Sequence, residues 1–61
     1  MVTYEEVKKE YVIQTIANGN TVLLCDFPTK RIMDCDDMTV GAIQGFMEKT
    51  ETKFFKEVAN E

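Results

Sequence analysis

Histidine is absent from this chain of 61 residues. It is the side chain best suited to proton transfer near neutral pH and the commonest metal ligand in proteins. The chain also lacks a glycine-rich loop of the kind that cradles phosphate groups. A nucleophilic cysteine would need a base and an electropositive neighbourhood, and only Lys30 and Arg31 stand close to one in sequence. We therefore expect no enzymatic activity and no cofactor.

Long apolar runs and basic clusters are also missing. No segment approaches the roughly 20 apolar residues of a membrane-spanning helix. The opening residues MVTYEE lack the basic and then apolar regions of a secretory signal. Seven basic residues face eleven acidic ones and form no basic stripe. These absences predict a cytoplasmic protein that binds neither nucleic acid nor a membrane.

The length of the chain predicts one small domain that spans residues 1–61. A chain of this size buries only roughly 60% of its unfolded surface, so its own core is marginal. Small domains usually add a disulfide, a metal ion or a second chain. The small size, acidic balance and lack of catalytic groups are typical of short accessory proteins of bacteria.

The central stretch from Thr21 to Cys35 has the pattern of a β-hairpin. Two apolar runs flank the segment FPTK at positions 27–30, in which proline suits the second position of a type I turn. If facing residue numbers sum to an even value, one face is wholly apolar, and the hydrophobic pattern favours that register. The buried face would then carry Leu23, Cys25, Phe27, Met33 and Cys35.

A helix is predicted on each side of the hairpin. The first, about 4–18, would begin with a capping box formed by Thr3 and Glu6 and end at Gly19. The second, about 39–49, would be capped by Thr39 or Asp37. It contains Gly41 and Gly45, and we expect another element to approach closely there, since each glycine weakens a helix.

Residues 52–59 fit two structures. A helix would continue the stripe of apolar residues of the second helix through Phe54 and Val58, and it is the favoured interpretation. A strand would place Phe54 and Phe55 on opposite faces. The fold class is therefore α+β, a helix–β-hairpin–helix domain (α-β-β-α), with a third antiparallel strand as the alternative for its last segment.

Two clusters could carry chemistry. In the favoured register Cys25 and Cys35 are neighbours, and we expect two free buried thiols, with a labile disulfide or a metal pair as alternatives. Two thiolates are half of a structural zinc site, and no histidine completes it. The acidic run 34–37 lacks the spacing of a calcium loop and is typical of a helix N-terminus.

The leading functional hypothesis is a small acidic protein–protein interaction protein that forms a homodimer. A lone hairpin is marginal and its edges invite pairing, while aromatic residues are enriched at interfaces. Candidate interface residues are Tyr11, Phe27, Phe46, Phe54 and Phe55. One alternative is an acidic inhibitor or nucleic-acid mimic that binds a basic groove of another protein through Asp26, Asp34, Asp36 and Asp37. A second alternative is a metal or redox module built on the two cysteines.

Overall fold

The computed structural model describes residues 2–59, which form four β-strands and two α-helices. In chain order these elements are β1 (Val2–Val7), α1 (Val12–Ala17), β2 (Val22–Asp26), β3 (Arg31–Asp34), α2 (Val40–Met47) and β4 (Thr52–Ala59). Short 3₁₀ turns at Lys9–Tyr11 and Cys35–Asp37 precede α1 and follow β3. The α+β class is confirmed, and the predicted α-β-β-α order is wrong. The predicted domain of residues 1–61 includes Met1, Asn60 and Glu61, which lie outside the described residues.

The four strands form one antiparallel sheet in the order β1-β4-β2-β3. The last strand of the chain therefore lies inside the sheet, between the first strand and the hairpin. Because each neighbouring pair is antiparallel, β1 runs parallel to β2 with β4 between them. Strands β1 and β3 are the two edges.

The predicted helix over 4–18 is half wrong. Its first part is strand β1, which pairs along its whole length with β4, from Val2 opposite Ala59 to Val7 opposite Phe54. The capping box at Thr3 and Glu6 does not form, because the backbone groups that it would satisfy belong to the sheet instead. Long-range pairing with a distant segment overrides the local helix signal. Only α1 is helical, and Gly19 follows it with a φ of 90°, as its predicted left-handed role requires.

Residues 52–59 are a strand, so the favoured helical interpretation of this segment is wrong and the alternative is confirmed. Strand β4 pairs on both sides, with β1 and with β2. A central strand satisfies the hydrogen bonds of its backbone through two neighbours, which the sequence of the segment alone does not reveal. Phe54 points into the core at 0% exposure, and Phe55 points to the opposite face.

The hairpin is present, but its predicted register is wrong. Leu24 faces Met33 and Cys25 faces Ile32, so the numbers of facing residues sum to an odd value. The buried positions of β2 are therefore Val22, Leu24 and Asp26 rather than the odd-numbered residues. Asp26 faces Arg31, so the loop between them has four residues, and this even number makes the sum of facing residue numbers odd. A hydrogen bond of 3.3 Å from the amide of Lys30 to the carbonyl of Phe27 closes the loop, and Lys30 takes a φ of 56°.

Helix α2 agrees with its prediction. The hydroxyl of Thr39 accepts a hydrogen bond from the amide of Ala42 at 3.2 Å and caps the helix. The expected close approach at Gly41 and Gly45 is wrong, since a Cβ atom at either position would meet no neighbour within 4 Å.

Both helices pack on one face of the sheet, which we call the covered face. Val12 of α1 and Ile43 of α2 form one cluster there with buried side chains of β1, β2 and β4. Ile16, Met33, Met38, Phe46 and Met47 pack around this core, whose buried members are Val7, Val12, Val22, Leu24, Cys35, Ile43 and Phe54. All of the strand residues in that set share one face by alternation, so the helices leave the other face free.

Candidate interaction surface on the open face of the sheet

No described helix lies on the second face of the sheet, which we call the open face. Val2 lies at one corner of this face, and alternation along the strands and the pairing register place the other side chains named here in three rows. The first row holds Tyr4 and Glu57. The second runs Glu6, Phe55, Leu23 and Asp34, and the third runs Lys53, Cys25 and Ile32.

Apolar side chains cross these rows as a diagonal band. The band, which we call the apolar stripe, starts at β1, crosses the sheet and ends at the hairpin turn, and it consists of Tyr4, Phe55, Leu23, Cys25, Ile32 and Phe27. Ile32 is 70% exposed, Phe27 is 54% exposed and Tyr4 is 51% exposed. Contiguous apolar residues on the surface of a small protein commonly mark a contact with another molecule.

The stripe contains a shallow depression of about 210 Å³ that is lined by Tyr4, Leu23, Cys25, Ile32 and Phe55. Sites for small molecules and cofactors usually exceed about 300 Å³ and contain a few placed polar groups. The depression is smaller, and its lining is almost wholly apolar. It suits protruding apolar side chains from another protein surface better than a cofactor.

Charged side chains flank the stripe. Asp34 and Glu57 lie on one side of it, and Glu6 and Lys53 lie on the other. The carboxylate of Asp34 is held in place, because its Oδ1 accepts the amide of Asp36 at 2.9 Å. Lys53 is the one basic side chain among these four, and an apolar centre with a charged rim is the usual anatomy of an interface.

The two cysteines lie on opposite faces of the sheet. Cys25 lines the depression on the open face, whereas Cys35 is 2% exposed within the core. Both are free thiols, and the predicted neighbouring placement is wrong because the register differs from the expected one. Burial, with the charges of Asp34 and Asp36, raises the pKa of Cys35 to about 11. Burial also raises the pKa of Cys25.

Asp26 is a structural residue of the covered face rather than part of an acidic surface. It is 4% exposed and accepts hydrogen bonds from the hydroxyls of Thr29 at 2.6 Å and Thr52 at 3.1 Å. The bond from Thr29, helped by that from Thr52 and by the charges of Lys49 and Arg31, lowers the pKa of Asp26 against the opposing effect of burial. The carboxylate thereby ties the hairpin turn to the start of β4.

The other acidic candidates stay near the surface. Asp36 and Asp37 are exposed in the 3₁₀ turn after β3, and Asp34 is half-buried at its start. Within residues 2–59 no group of three or more potential ligand side chains converges as a metal site would require. The structure therefore brings Asp34, Asp36 and Asp37 together at one turn and places Asp26 apart from them.

The predicted interface residues have different positions. Phe27 and Phe55 belong to the apolar stripe. Tyr11 is 53% exposed at the start of α1, and Phe46 packs partly against the core with the Nζ atom of Lys49 4.6 Å from its ring centre. Phe54 is fully buried, so the folded chain cannot offer it to a partner.

Sequence reasoning missed Leu23 and Ile32 as surface residues and did not place Tyr4 on the same face as them. The helical interpretation of residues 4–18 and the wrong hairpin register concealed them. One available signal was the adjacent pair Phe54 and Phe55, because a strand places two successive aromatic side chains on opposite faces of a sheet. Tyr4 and Phe55 belong to the same face only once β1 and β4 are known to pair.

No helix among residues 2–59 is long and apolar enough to cross a membrane. Comparison of the chain with known protein families, with curated proteins and with solved structures finds no match in any of the three.

Proposed function

We propose that this chain is a small cytoplasmic protein–protein interaction protein, without catalytic activity, that forms a homodimer through the open face of its sheet. The observation that carries the proposal is the apolar stripe. Burying its half-exposed side chains would remove apolar surface from water, which favours association. Because the helices cover one face of the sheet, the open face remains for another molecule to cover.

The size of the open face fits a contact between small proteins. Four strands about 4.8 Å apart and about 20 Å long present on the order of 300–400 Å² in projection, and side-chain relief increases the accessible area. Specific complexes bury about 800 Å² from each partner. In projection the open face is about half that size, which fits a weak, concentration-dependent dimer rather than a permanent one.

A second copy is the proposed occupant because the stripe can pack on itself. In a two-fold dimer the same patch is used by both chains, so a continuous apolar band supplies both halves of the contact. A marginal core gives a physical reason for association, since the described chain buries only seven apolar residues below the surface. Small domains often gain their remaining stability from an oligomer.

Sedimentation equilibrium from micromolar to millimolar concentration tests the proposal. The wild-type chain should show a monomer–dimer equilibrium. Ile32→Glu should shift it toward the monomer by at least about tenfold in dissociation constant, because a carboxylate would enter the apolar contact. Val40→Glu is the matched control, since Val40 is 57% exposed on α2, away from the open face.

The control variant should dimerise as the wild type does. A wild-type chain that stays monomeric at millimolar concentration would refute the proposal. Equal weakening by both variants would refute the open face as the contact surface.

A further inference from the structure

The direction of the apolar stripe limits how two copies can stack, and this step rests on the proposed homodimer. From Tyr4 to Ile32 the stripe crosses three strand spacings of about 4.8 Å and four residues of about 3.4 Å along the strands. It therefore lies at about 45° to the strands. Stacking the stripe on its own copy about a two-fold axis along the stripe would cross the strands at about 90°, one of the two common angles between packed sheets.

We infer that the two-fold axis runs along the apolar stripe and that Asp34 of each chain pairs with Lys53 of the other. Such an axis exchanges the two flanks of the stripe, so a residue on one flank lies over the opposite flank of the second copy. Asp34 lies on one flank near the hairpin end, and Lys53 lies on the other flank at a similar distance along the stripe. The symmetry repeats the pair twice in each dimer.

The same axis brings Glu57 of one copy near Glu6 of the other. Both are exposed side chains on long stems, so their carboxylates can turn away from each other into water. The remaining way to stack the stripe on itself has the axis across it, which would pair Lys53 with Glu6 and press Glu57 against Asp34. Asp34 is short and its carboxylate is held by the amide of Asp36, so only Glu57 can move in that pair, whereas both members of the Glu57–Glu6 pair can move. The axis along the stripe is therefore favoured.

Lys53 is also suited to an intermolecular contact. Its side chain is exposed, and the single ion pair among the described residues joins Lys56 to Glu5 and leaves Lys53 outside it. A charge pair at the rim adds modest affinity but strong orientation, because the wrong alignment sets like charges together. The Asp34–Lys53 pair would thus fix the relative orientation of the two copies, which the apolar contact alone does not determine.

Charge exchange between the two positions tests the inference. The dissociation constant of the dimer is measured by sedimentation equilibrium at low salt for Lys53→Glu, for Asp34→Lys and for the double variant. Each single change should weaken the dimer by at least about tenfold, since two like-charge contacts replace two ion pairs. The double variant should return to within about threefold of the wild type, because the pair is restored with its signs exchanged.

Two further variants guard the interpretation. Asp34→Lys removes the side-chain acceptor for the amide of Asp36, so Asp34→Asn, which keeps an acceptor and loses the charge, should weaken the dimer by a smaller factor. Glu6→Lys tests the other axis. About the inferred axis it should strengthen the dimer, because the new positive charge would lie near Glu57 of the second copy, whereas about the other axis it would lie against Lys53 and weaken the dimer. Circular dichroism on each variant verifies that the chain is folded.

The outcomes separate this inference from the proposed function. A wild-type dimer that Ile32→Glu disrupts, but whose charge-exchanged double variant stays weak, would keep the open-face dimer and overturn the axis. A dimer that Glu6→Lys weakens would also overturn it. A wild-type chain that is monomeric at millimolar concentration would refute the homodimer and this pairing together.

Discussion

Phe54 and Phe55 are adjacent in the chain, and their surroundings differ completely. Phe54 lies in the core on the covered face at 0% exposure, whereas Phe55 lies half-buried on the open face beside Leu23. Each face has a phenylalanine beside a leucine at the centre of the sheet, Phe54 beside Leu24 on one and Phe55 beside Leu23 on the other. The two faces differ because α1 and α2 cover one face, and no described element covers the other. The described part of the chain therefore covers one of its two apolar layers and leaves the other exposed.

The largest expected effect is the loss of stability when the side chain of Phe54 is removed from the covered face. Phe54→Ala should cost about 3–5 kcal/mol of unfolding free energy, because it leaves a cavity in the core. That loss is close to the whole stability of about 3–9 kcal/mol expected for a domain of this length. The change should leave most of the chain unfolded, as measured by urea denaturation followed by circular dichroism in dilute solution.

Phe55→Ala is the matched control for that experiment. In dilute solution it should cost about 1 kcal/mol or less, since the side chain is only half-buried in the single chain. It should weaken the dimer instead. Equal losses of monomer stability in the two variants would contradict the distinction between the faces.

The next effect concerns the polar cluster at the edge of the covered face. The folded pKa of Asp26 is lowered, so the carboxylate contributes stability that is fully present above its unfolded pKa of about 4. This contribution should be lost as the pH falls from about 4 through the folded pKa. Asp26→Asn should therefore be less stable than the wild type at neutral pH, with a difference that shrinks in acid, as measured by urea denaturation at several pH values.

Thr29 offers a matched pair of variants for the same cluster. Thr29→Ser keeps the hydroxyl that donates to Asp26, and it should keep the acid dependence of the wild type. Thr29→Ala removes the donor and should reduce that dependence. An unchanged acid profile in Thr29→Ala would show that this hydrogen bond does not lower the pKa.

The two thiols report on the two faces without any substitution. In dilute folded protein a maleimide should label Cys25, which lies on the open face, before Cys35, which is 2% exposed and has its pKa raised to about 11. Only thiolate reacts fast, so burial and the high pKa both slow Cys35. Mass spectrometry of peptides should find one labelled cysteine before unfolding and two in urea. Labelling of both at one rate would contradict their placement on different faces.

The smallest expected effect strengthens the fold without changing either face. Gly45→Ala should add about 1 kcal/mol of stability, because a Cβ there meets no neighbour and alanine favours a helix. Gly19→Ala should lose about 1 kcal/mol or more, since Gly19 has a φ of 90° that alanine rarely adopts. Thermal unfolding measures both changes. The dimer dissociation constant of Gly45→Ala should equal that of the wild type.

Local signals predicted those parts of the fold that local interactions decide. The turn at 27–30, the cap at Thr39 and the left-handed Gly19 each depend on a few neighbouring residues, and each is present. Helix α2 follows from its cap and its apolar spacing.

The elements that were predicted wrongly depend on segments that are distant in the chain. Residues 2–7 and 52–59 are strands because they pair with each other, although they lie about 50 residues apart in the chain. The prediction of the hairpin register failed because Asp26 is buried, whereas the hydrophobic pattern assigned it to the solvent-exposed face. Two hydroxyl donors make that burial tolerable, and they come from the turn and from β4. The open face could not be recognised before β1 and β4 were placed side by side.

The most direct test of the central claim measures the alkylation rate of Cys25 as a function of protein concentration, with Cys35 as the internal standard. If a second copy covers the open face, the rate at Cys25 should fall with the fraction of dimer determined by sedimentation, and the slow rate at Cys35 should stay constant. A Cys25 rate that is unchanged while the protein becomes dimeric would contradict the account, because the two chains would then meet through a different surface.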